Sequence, residues 1–278
     1  MVIQHNIAAI NSYRNLSINQ SALSKNLEKL SSGYKINRAG DDAAGLAISE
    51  TMRSQINGLN QAVNNANDAV GLIQTAEGAL TETHSMLQRM KTLTTQAANG
   101  TYTKTARDNI QAEINALNKE IGRIATTTEF NGEKPLSPAA AANNKTTNLT
   151  FFIGASPATA NAMTVAQQAM TQTALKINTI SVKTTTLAFA AMKSVEAAIE
   201  TVSSYRATLG AAQNRLEHTV NNLKVTAENI TSAESRIRDT DMADEITAYT
   251  KNNILLQAAQ SMLSQSNAMP QGVLSMLQ

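Results

Sequence analysis

Residues 56–87 read INGLNQAVNNANDAVGLIQTAEGALTETHSML, and their spacing decides the fold. Apolar residues recur there in alternating steps of three and four, the heptad rhythm that places one narrow apolar stripe along an α-helix. The stripe consists of Ile56, Leu59, Val63, Ala66, Val70, Ile73, Leu80 and Leu87, with Glu77 and His84 at its two polar positions. We predict one helix over residues 42–99, about 85 Å long at ~1.5 Å per residue, with other helices packed along it.

Two acidic residues stand just before the predicted helix. Asp41 and Asp42 follow Gly40, an arrangement typical of a turn whose Asp side chain caps a helix N-terminus. A metal site or an acid–base pair is the alternative for these carboxylates, and it would need a His or a further carboxylate to join them. None is placed to do so in the sequence, which favours the capping interpretation.

Each end of the chain carries a weaker apolar stripe. The N-terminal stripe consists of Ile3, Ile7, Ile10, Leu16, Leu23, Leu27 and Leu30. Gly33, just after it, suits the left-handed conformation that ends many helices. The C-terminal stripe repeats at seven residues in Ala248, Leu255 and Met262 beside Tyr249, Leu256 and Leu263. Because proline lacks a backbone N–H, we expect this last helix to end at Pro270, before a short apolar tail.

Between the ends, two helical sections flank a polar one. Apolar spacing over 106–124 predicts a helix over 104–128 that packs antiparallel to the long one. Residues 134–186 are rich in Ala, Thr and Asn and predict a small β-hairpin with a strand at Leu149–Ile153, while Met163–Lys176 fits a short helix. Helical spacing returns over 195–237. The predicted fold class is mainly α, a long antiparallel helical bundle or coiled coil with a small β-hairpin region in the middle.

The order of the segments is nearly symmetric: a weak apolar stripe, a strong one, the polar section, a strong stripe and a weak one. This order predicts that the chain reverses direction in the middle, which brings both termini to the same end of the bundle. The two terminal stripes are then natural partners, yet two helices alone bury too little apolar surface to be stable in water. We therefore predict that the ends are completed by other copies of the chain, in a helical polymer. The residues assigned to polymerisation are Ile3, Ile7, Ile10, Leu23, Leu27, Leu30, Tyr249, Leu256, Leu263, Val273, Leu274 and Leu277.

Composition restricts the class of protein. Aromatic residues make up only 3% of the chain, which favours thin helix–helix seams over a thick core or a small-molecule pocket. A net charge of +2 gives no indication of a nucleic-acid partner. Polar residues interrupt the uncharged stretch 252–278 too often for insertion into a membrane. The absence of Cys suits a protein secreted unfolded, although residues 1–30 lack the pattern of a cleavable signal peptide.

Several long motifs closely resemble those of bacterial flagellin, in the order in which that family has them. They are LSSGYKIN at 30–37, DDAAGLAI at 41–48, QAEI at 111–114, FNG at 130–132, LGAAQNRL at 209–216, SAESRIRDTDMA at 232–243 and VLSML at 273–277. The resemblance covers residues 1–133 and 187–278 and leaves a short variable region. It implies a structural subunit of the extracellular flagellar filament that supports motility and leaves the cell unfolded through the type III export apparatus.

The resemblance also implies a domain organisation and partners. Residues 1–41 with 236–278 correspond to the inner-core domain D0, residues 42–133 with 187–235 to the helical domain D1, and residues 134–186 to the variable region. The implied partners are further copies of the chain, the export apparatus and its chaperone, the filament cap and the hook-junction proteins. A hook–filament junction protein, which shares the terminal helices, is the alternative function.

The family's recognition site for a vertebrate Toll-like receptor corresponds to Arg89, Leu93 and Glu113. Two structural roles remain open for the charged residues of this set. Arg89 and Glu113 would form an ion pair between the long helix and its neighbour, or would bond to the next subunit.

An enzyme or metal protein built on a coiled coil is the alternative from another class. His5, His84 and His218 stand far apart and form no cluster with the spacing of metal ligands. The chain also has no glycine-rich phosphate loop and no nucleophile elbow. We therefore expect no enzymatic activity, no cofactor and no metal.

Overall fold

The structure is a computed structural model that describes residues 6–137, 147–158 and 161–276. In chain order the elements are α1 (Ile7–Ser32), α2 (Ala43–Ala98), α3 (Lys104–Thr127), β1 (Thr147–Phe152), β2 (Ala162–Gln167), α4 (Thr185–Arg238) and α5 (Met242–Met276). The predicted fold class, mainly α with a small β-hairpin region, is confirmed.

The chain forms two compact units. One consists of Met1–Ser54 with Glu228–Gln278, and the other of Gln55–Ala227. We call them the terminal unit and the central unit and describe each by itself. The three-part domain division given by the sequence stays a prediction.

The central unit is built from three helices whose cross-contacts establish their directions. Between α2 and α3, the Nε of Arg89 lies 2.8 Å from a Glu113 carboxylate oxygen, and Arg107 donates to the Ala97 carbonyl at the end of α2. Residues near the end of α2 therefore lie beside residues near the start of α3, so the predicted antiparallel pairing is confirmed. Lys91–Glu196 and Arg206–Glu77 ion pairs place α4 antiparallel to α2 in the same way.

The buried face of α2 is rotated relative to the predicted stripe. One predicted row is correct, because Leu59, Ala66, Ile73, Leu80 and Leu87 are all buried. The second buried row is Ala62, Ala69, Ala76, Thr83 and Met90, three positions after each member of the first, and it continues at Ala97. The predicted second row, Ile56, Val63, Val70, Glu77 and His84, is half-buried at the flank.

Four of the six residues in the second buried row are Ala. The larger side chains at the flank, such as Val63 and Val70, remain partly exposed to water. The polar members of the flank find partners, since Glu77 pairs with Arg206 and the His84 ring lies 2.9 Å from the Gln88 amide.

The polar middle section contains the predicted hairpin but not the predicted short helix. Strands β1 and β2 pair antiparallel, with Leu149 opposite Val165. Met163–Lys176 was expected to be helical, and this prediction is wrong because its first residues form β2. Met163 and Val165 alternate with exposed Thr164, the period of two that suits a strand with one buried face.

Buried amides of α3 hold the segment that follows the hairpin. Gln111 donates to the Ile180 carbonyl at 3.0 Å and accepts from the Val182 N–H at 2.7 Å. Two helical turns further along α3, Asn118 donates to the Ile177 carbonyl at 2.8 Å. These amides give hydrogen-bond partners to a segment that has no ladder of its own.

The terminal unit contains the antiparallel pair of α1 and α5. The Asn19 amide lies 3.5 Å from the Leu255 carbonyl, and Lys29 lies 3.8 Å from Glu245. The two terminal helices are partners as predicted, but only part of each stripe faces the other helix, because Ile7, Ile10 and Met262 are exposed. Some Cα atoms of the two helices come within 8 Å of each other, a close approach that small inward side chains permit.

The helix ends of the terminal unit follow the sequence at α1 and α2. Gly33 adopts φ 75°, and its N–H donates to the Lys29 carbonyl. Asp42 accepts from the Gly45 N–H at 2.9 Å, so it caps α2 as predicted. Asp41 accepts from the N–H groups of Asn37 and Arg38. Those backbone hydrogen bonds lower the pKa of the Asp41 carboxyl.

The end of α5 differs from the prediction. The helix continues through Pro270 to Met276, so the expectation that it ends at Pro270 is wrong. An internal proline removes the N–H that would bond the carbonyl four residues earlier, which here belongs to Ser266. That carbonyl accepts instead from the Asn6 side chain at the start of α1, over 2.8 Å.

Candidate functional site

The pair of α1 and α5 exposes its large apolar side chains. Ile7 is 67% exposed and Met262 is 63% exposed. The complete set in the described part of the two helices is Ile7, Ile10, Tyr13, Ile18 and Leu27 on α1 with Met242, Ile246, Ile254, Leu255, Met262 and Met269 on α5. We call this set the outer apolar set. Exposed apolar side chains that recur along a surface indicate a protein interaction site.

The inward faces of the same helices combine half-buried Leu and Tyr side chains with many small and amide side chains. They include Ala9, Ser12, Asn19, Ala22 and Asn26 on α1 with Ala248, Asn252, Ala259 and Ser266 on α5. Asn26 is buried although it is polar. The usual amphipathic arrangement, with apolar residues inside and polar residues outside, is thus partly reversed. A pair of helices arranged in this way has most to gain from covering its outer side.

The residues assigned to polymerisation fall into three groups. Ile7, Ile10 and Leu27 are exposed and belong to the outer apolar set. The half-buried members, which lie towards the partner helix, are Leu23, Leu30, Tyr249, Leu256 and Leu263. Val273 and Leu274 lie in α5, whereas Ile3 and Leu277 are outside the described residues. Their role in polymerisation stays a prediction.

Sequence reasoning missed several members of the outer apolar set. Tyr13, Ile18, Ile246 and Ile254 lie off the predicted stripes and are exposed. The signal that could have found them is the presence of apolar residues on more than one face of each terminal helix. A stripe search retains only one face and treats the others as scatter.

Arg89, Leu93 and Glu113 come together where α2 packs against α3. The Arg89 Nε donates to Glu113 Oε1 over 2.8 Å, and both side chains are about half exposed. Leu93 is only 2% exposed and belongs to the core of the central unit. Of these three residues, only Arg89 and Glu113 are therefore exposed at the surface.

Two of the sequence motifs meet in the terminal unit. Residues 34–35 follow α1, and residues 238–240 join α4 to α5. Lys35 N–H donates to the Arg238 carbonyl at 2.7 Å, and Thr240 N–H donates to the Gly33 carbonyl at 3.0 Å. Arg238 Nη1 donates to Glu50 Oε1 at 2.6 Å, a hydrogen bond that lowers the pKa of the Glu50 carboxyl. These contacts join the segment after α1 to the segment between α4 and α5 and to α2. We call this set of contacts the junction.

Comparison with known proteins identifies the family. The model of the bacterial flagellin N-terminal helical region matches residues 3–141, and that of the C-terminal helical region matches residues 192–277. The chain belongs to the bacterial flagellin family. Flagellins are structural proteins, and this one is a subunit of the extracellular flagellar filament, a homopolymer.

Relatives match over the whole length of the chain. It is 51% identical to the flagellin of Bacillus subtilis (strain 168) over 305 aligned positions, which cover 100% of both proteins. It is 46% identical to the flagellin of Halalkalibacterium halodurans over 277 positions, again covering 100% of both. The short central region is therefore shared with full-length flagellins.

A solved structure shares the fold at low identity. It is a putative flagellar hook-associated protein from Vibrio parahaemolyticus, with a TM-score of 0.59 over 72% of this chain and 100% of that one. At 11% identity this likeness shows the fold alone. Because the full-length relatives are flagellins, no finding favours the hook–filament junction alternative.

The described residues contain neither a metal-binding group nor a membrane-spanning helix. Across 6–137, 147–158 and 161–276, no three His, Cys, Asp or Glu side chains come together as a group that could hold a metal. No helix in that part of the chain is long and apolar enough to cross a membrane.

Proposed function

We propose that subunits join through the outer apolar set of α1 and α5, covered in the filament by the same helices of neighbouring copies. The observation that supports this is the high exposure of aliphatic side chains on both helices. Transfer of each such side chain from water into a contact contributes about 1.5–3 kcal/mol at full burial. Several residues on each copy are then enough to favour a polymer over free subunits.

The test replaces two outward residues by charges. The Ile10→Lys, Met262→Lys variant should fold as a monomer, because both side chains are already in water. It should lose elongation on filament seeds, because a Lys left in an apolar contact has no partner. Circular dichroism checks folding, and electron microscopy with sedimentation measures elongation.

The matched control is Ser17→Lys with Gln265→Lys. These residues are also exposed, and they lie on the same two helices. The control should elongate as the unchanged chain does. Normal elongation by the Ile10→Lys, Met262→Lys variant would contradict the proposed contact.

We further propose that Arg89 and Glu113 form part of a contact for a vertebrate Toll-like receptor. Two half-exposed charges of opposite sign, held in one hydrogen bond over buried Leu93, give a partner a fixed polar feature. The structural alternative is that the pair only joins α2 to α3. An exposed ion pair of this type contributes about 0.2–1 kcal/mol to stability.

Receptor-reporter signalling separates the two roles. The Arg89→Ala, Glu113→Ala variant should lose most of its potency while its unfolding free energy changes little. Lys91→Ala with Glu196→Ala is the matched control, since that ion pair also joins α2 to a neighbouring helix and is similarly exposed. Equal potency of the two variants would remove the receptor role.

Family membership supports a proposal for the remaining partners. We propose that the chain passes unfolded through the flagellar type III export apparatus with a chaperone, and that it then meets the filament cap and the hook-junction proteins. We propose no catalytic role. Pulse-labelled export from cells lacking the apparatus tests the first proposal, because secreted chain in such cells would contradict it.

A further inference from the structure

The Asn6 side chain occupies a hydrogen-bonding position that a proline leaves open. In α5, the Ser266 carbonyl would normally accept from the N–H of residue 270, and Pro270 has none. Asn6 Nδ2 donates to that carbonyl over 2.8 Å. A half-buried carbonyl without a donor would cost free energy, so this contact is more valuable than one to a carbonyl already bonded within its helix.

The same side chain begins α1. Asn6 Oδ1 accepts from the Ala9 N–H over 3.1 Å, the geometry of a helix N-cap. Both ends of one amide are therefore used, one to start α1 and the other to attach that start to a single turn of α5. The position of α1 along α5 is tied to the position of Pro270 in the sequence.

The inward side chains of α1 and α5 do not by themselves specify one register, and the Lys35–Arg238 and Thr240–Gly33 backbone bonds fix it only at the Gly33 end of the pair. Polar or small residues recur at seven on both helices, as Ser12, Asn19 and Asn26 on α1 and as Asn252, Ala259 and Ser266 on α5. Sliding one helix by seven residues would place similar side chains opposite each other again. A feature that occurs at one place only selects a register, as a single buried Asn does in coiled coils. The Thr240–Gly33 backbone bond is such a feature at one end of the pair, and Asn6 is one at the other end.

The register determines which outward residues lie level with each other. The cross-contacts join 6 to 266, 19 to 255 and 29 to 245. By the same spacing Ile10 lies level with Met262, Ile18 with Leu255, and Leu27 with Ile246. All six are members of the outer apolar set. A slipped pair would offer neighbouring copies a different arrangement of apolar side chains.

We infer that Asn6, acting with Pro270, holds α1 and α5 in register at the end of the pair that is far from the Thr240–Gly33 bond, and thereby aligns the surface on which subunits assemble. This inference rests on the proposed function for its consequence in the filament. The register itself is a property of the single chain and is measured separately.

The chain lacks Cys, so introduced pairs report the register directly. Ala22→Cys with Asn252→Cys marks the register of the structure, and Ala22→Cys with Ala259→Cys marks a slip of seven residues. Each pair is placed in the full chain with Asn6 unchanged or replaced by Ser, which keeps a good N-cap but is too short to reach Ser266. The yields of oxidative cross-linking in the monomer give the ratio of the two registers.

Asn6→Ser should lower the ratio of in-register to slipped cross-links about five-fold or more. Asn19→Ser is the matched control, because the Leu255 carbonyl keeps its own helical donor, and it should leave the ratio unchanged. Pro270→Ala restores the N–H to α5, so Asn6→Ser in that background should have little further effect. Seeded elongation of the same variants without Cys should follow the same order.

Equal ratios for Asn6→Ser and Asn19→Ser would overturn the inference. So would an undiminished effect of Asn6→Ser in the Pro270→Ala background, because the effect would then not depend on the open carbonyl. If the unchanged chain fails to elongate on seeds, the proposed function fails. The cross-link ratios still decide the register in that case.

Discussion

The guanidinium carbon of Arg238 lies 4.8 Å from the centroid of the Tyr34 ring. Arg238 is the last residue of α4, and Tyr34 follows the left-handed Gly33 that ends α1. A guanidinium over an aromatic face is an attractive arrangement, and the same side chain also donates to Glu50 at the start of α2. Arg238 thus contacts both the segment after α1 and the start of α2 within the terminal unit.

Arg238→Ala should loosen the junction. The backbone bonds of Lys35 and Thr240 lie directly beside the lost side chain, so their amides should exchange with solvent faster than in the unchanged chain. Hydrogen exchange with mass spectrometry measures this. Arg236→Ala is the control, because the Arg236 Nε hydrogen bond is to Ser232 in its own helix, and similar exchange in both variants would contradict the role of Arg238.

Acid should weaken the same junction through Glu50. Its pKa lies below the ordinary value of 4.5, chiefly because of the Arg238 hydrogen bond. A carboxyl whose pKa is lowered on folding stabilises the fold above its unfolded pKa, and the contribution is lost as the pH falls through the folded value. Stability measured by urea unfolding should therefore decline below about pH 4.5, and less so in Glu50→Gln. Exposed Glu200→Gln should retain the full decline, and an identical decline in both variants would refute the assignment.

Gln111→Leu should destabilise the central unit by about 1–3 kcal/mol. The change leaves the buried Val182 N–H and Ile180 carbonyl without the amide that now bonds both. Urea unfolding followed by circular dichroism gives the free energy. Asn109→Ala, at an exposed position of the same helix, should change it by less than about 0.5 kcal/mol.

Ala76→Leu should cost about 1–3 kcal/mol, because Ala76 is fully buried in the second row of α2 and extra methylenes overpack it. Gln74→Leu adds the same side chain at an exposed position and should be close to neutral. Thermal unfolding compares the two variants. A tolerated Leu at 76 would mean that the second row is not in contact with other helices.

Some features were determined by residues close together in the sequence. Gly33 ends α1, Asp42 caps α2, and the apolar alternation near Leu149 forms a strand, each as predicted. The heptad rhythm also gave one buried row of α2 correctly. These features depend on local hydrogen bonds and backbone geometry, which the local sequence specifies.

Tertiary contacts decided the rest. Ala69 is buried and its larger neighbour Val70 is only partly so, because the rotation of α2 depends on how closely α3 and α4 approach it. The continuation of α5 through Pro270 depends on an amide 260 positions away along the chain. The sequence by itself therefore determined where the five helices lie, apart from the end of α5, and it predicted that other copies complete the terminal pair. Only the tertiary structure decided which faces turn inward and in which register, because those choices depend on contacts between residues far apart in the chain.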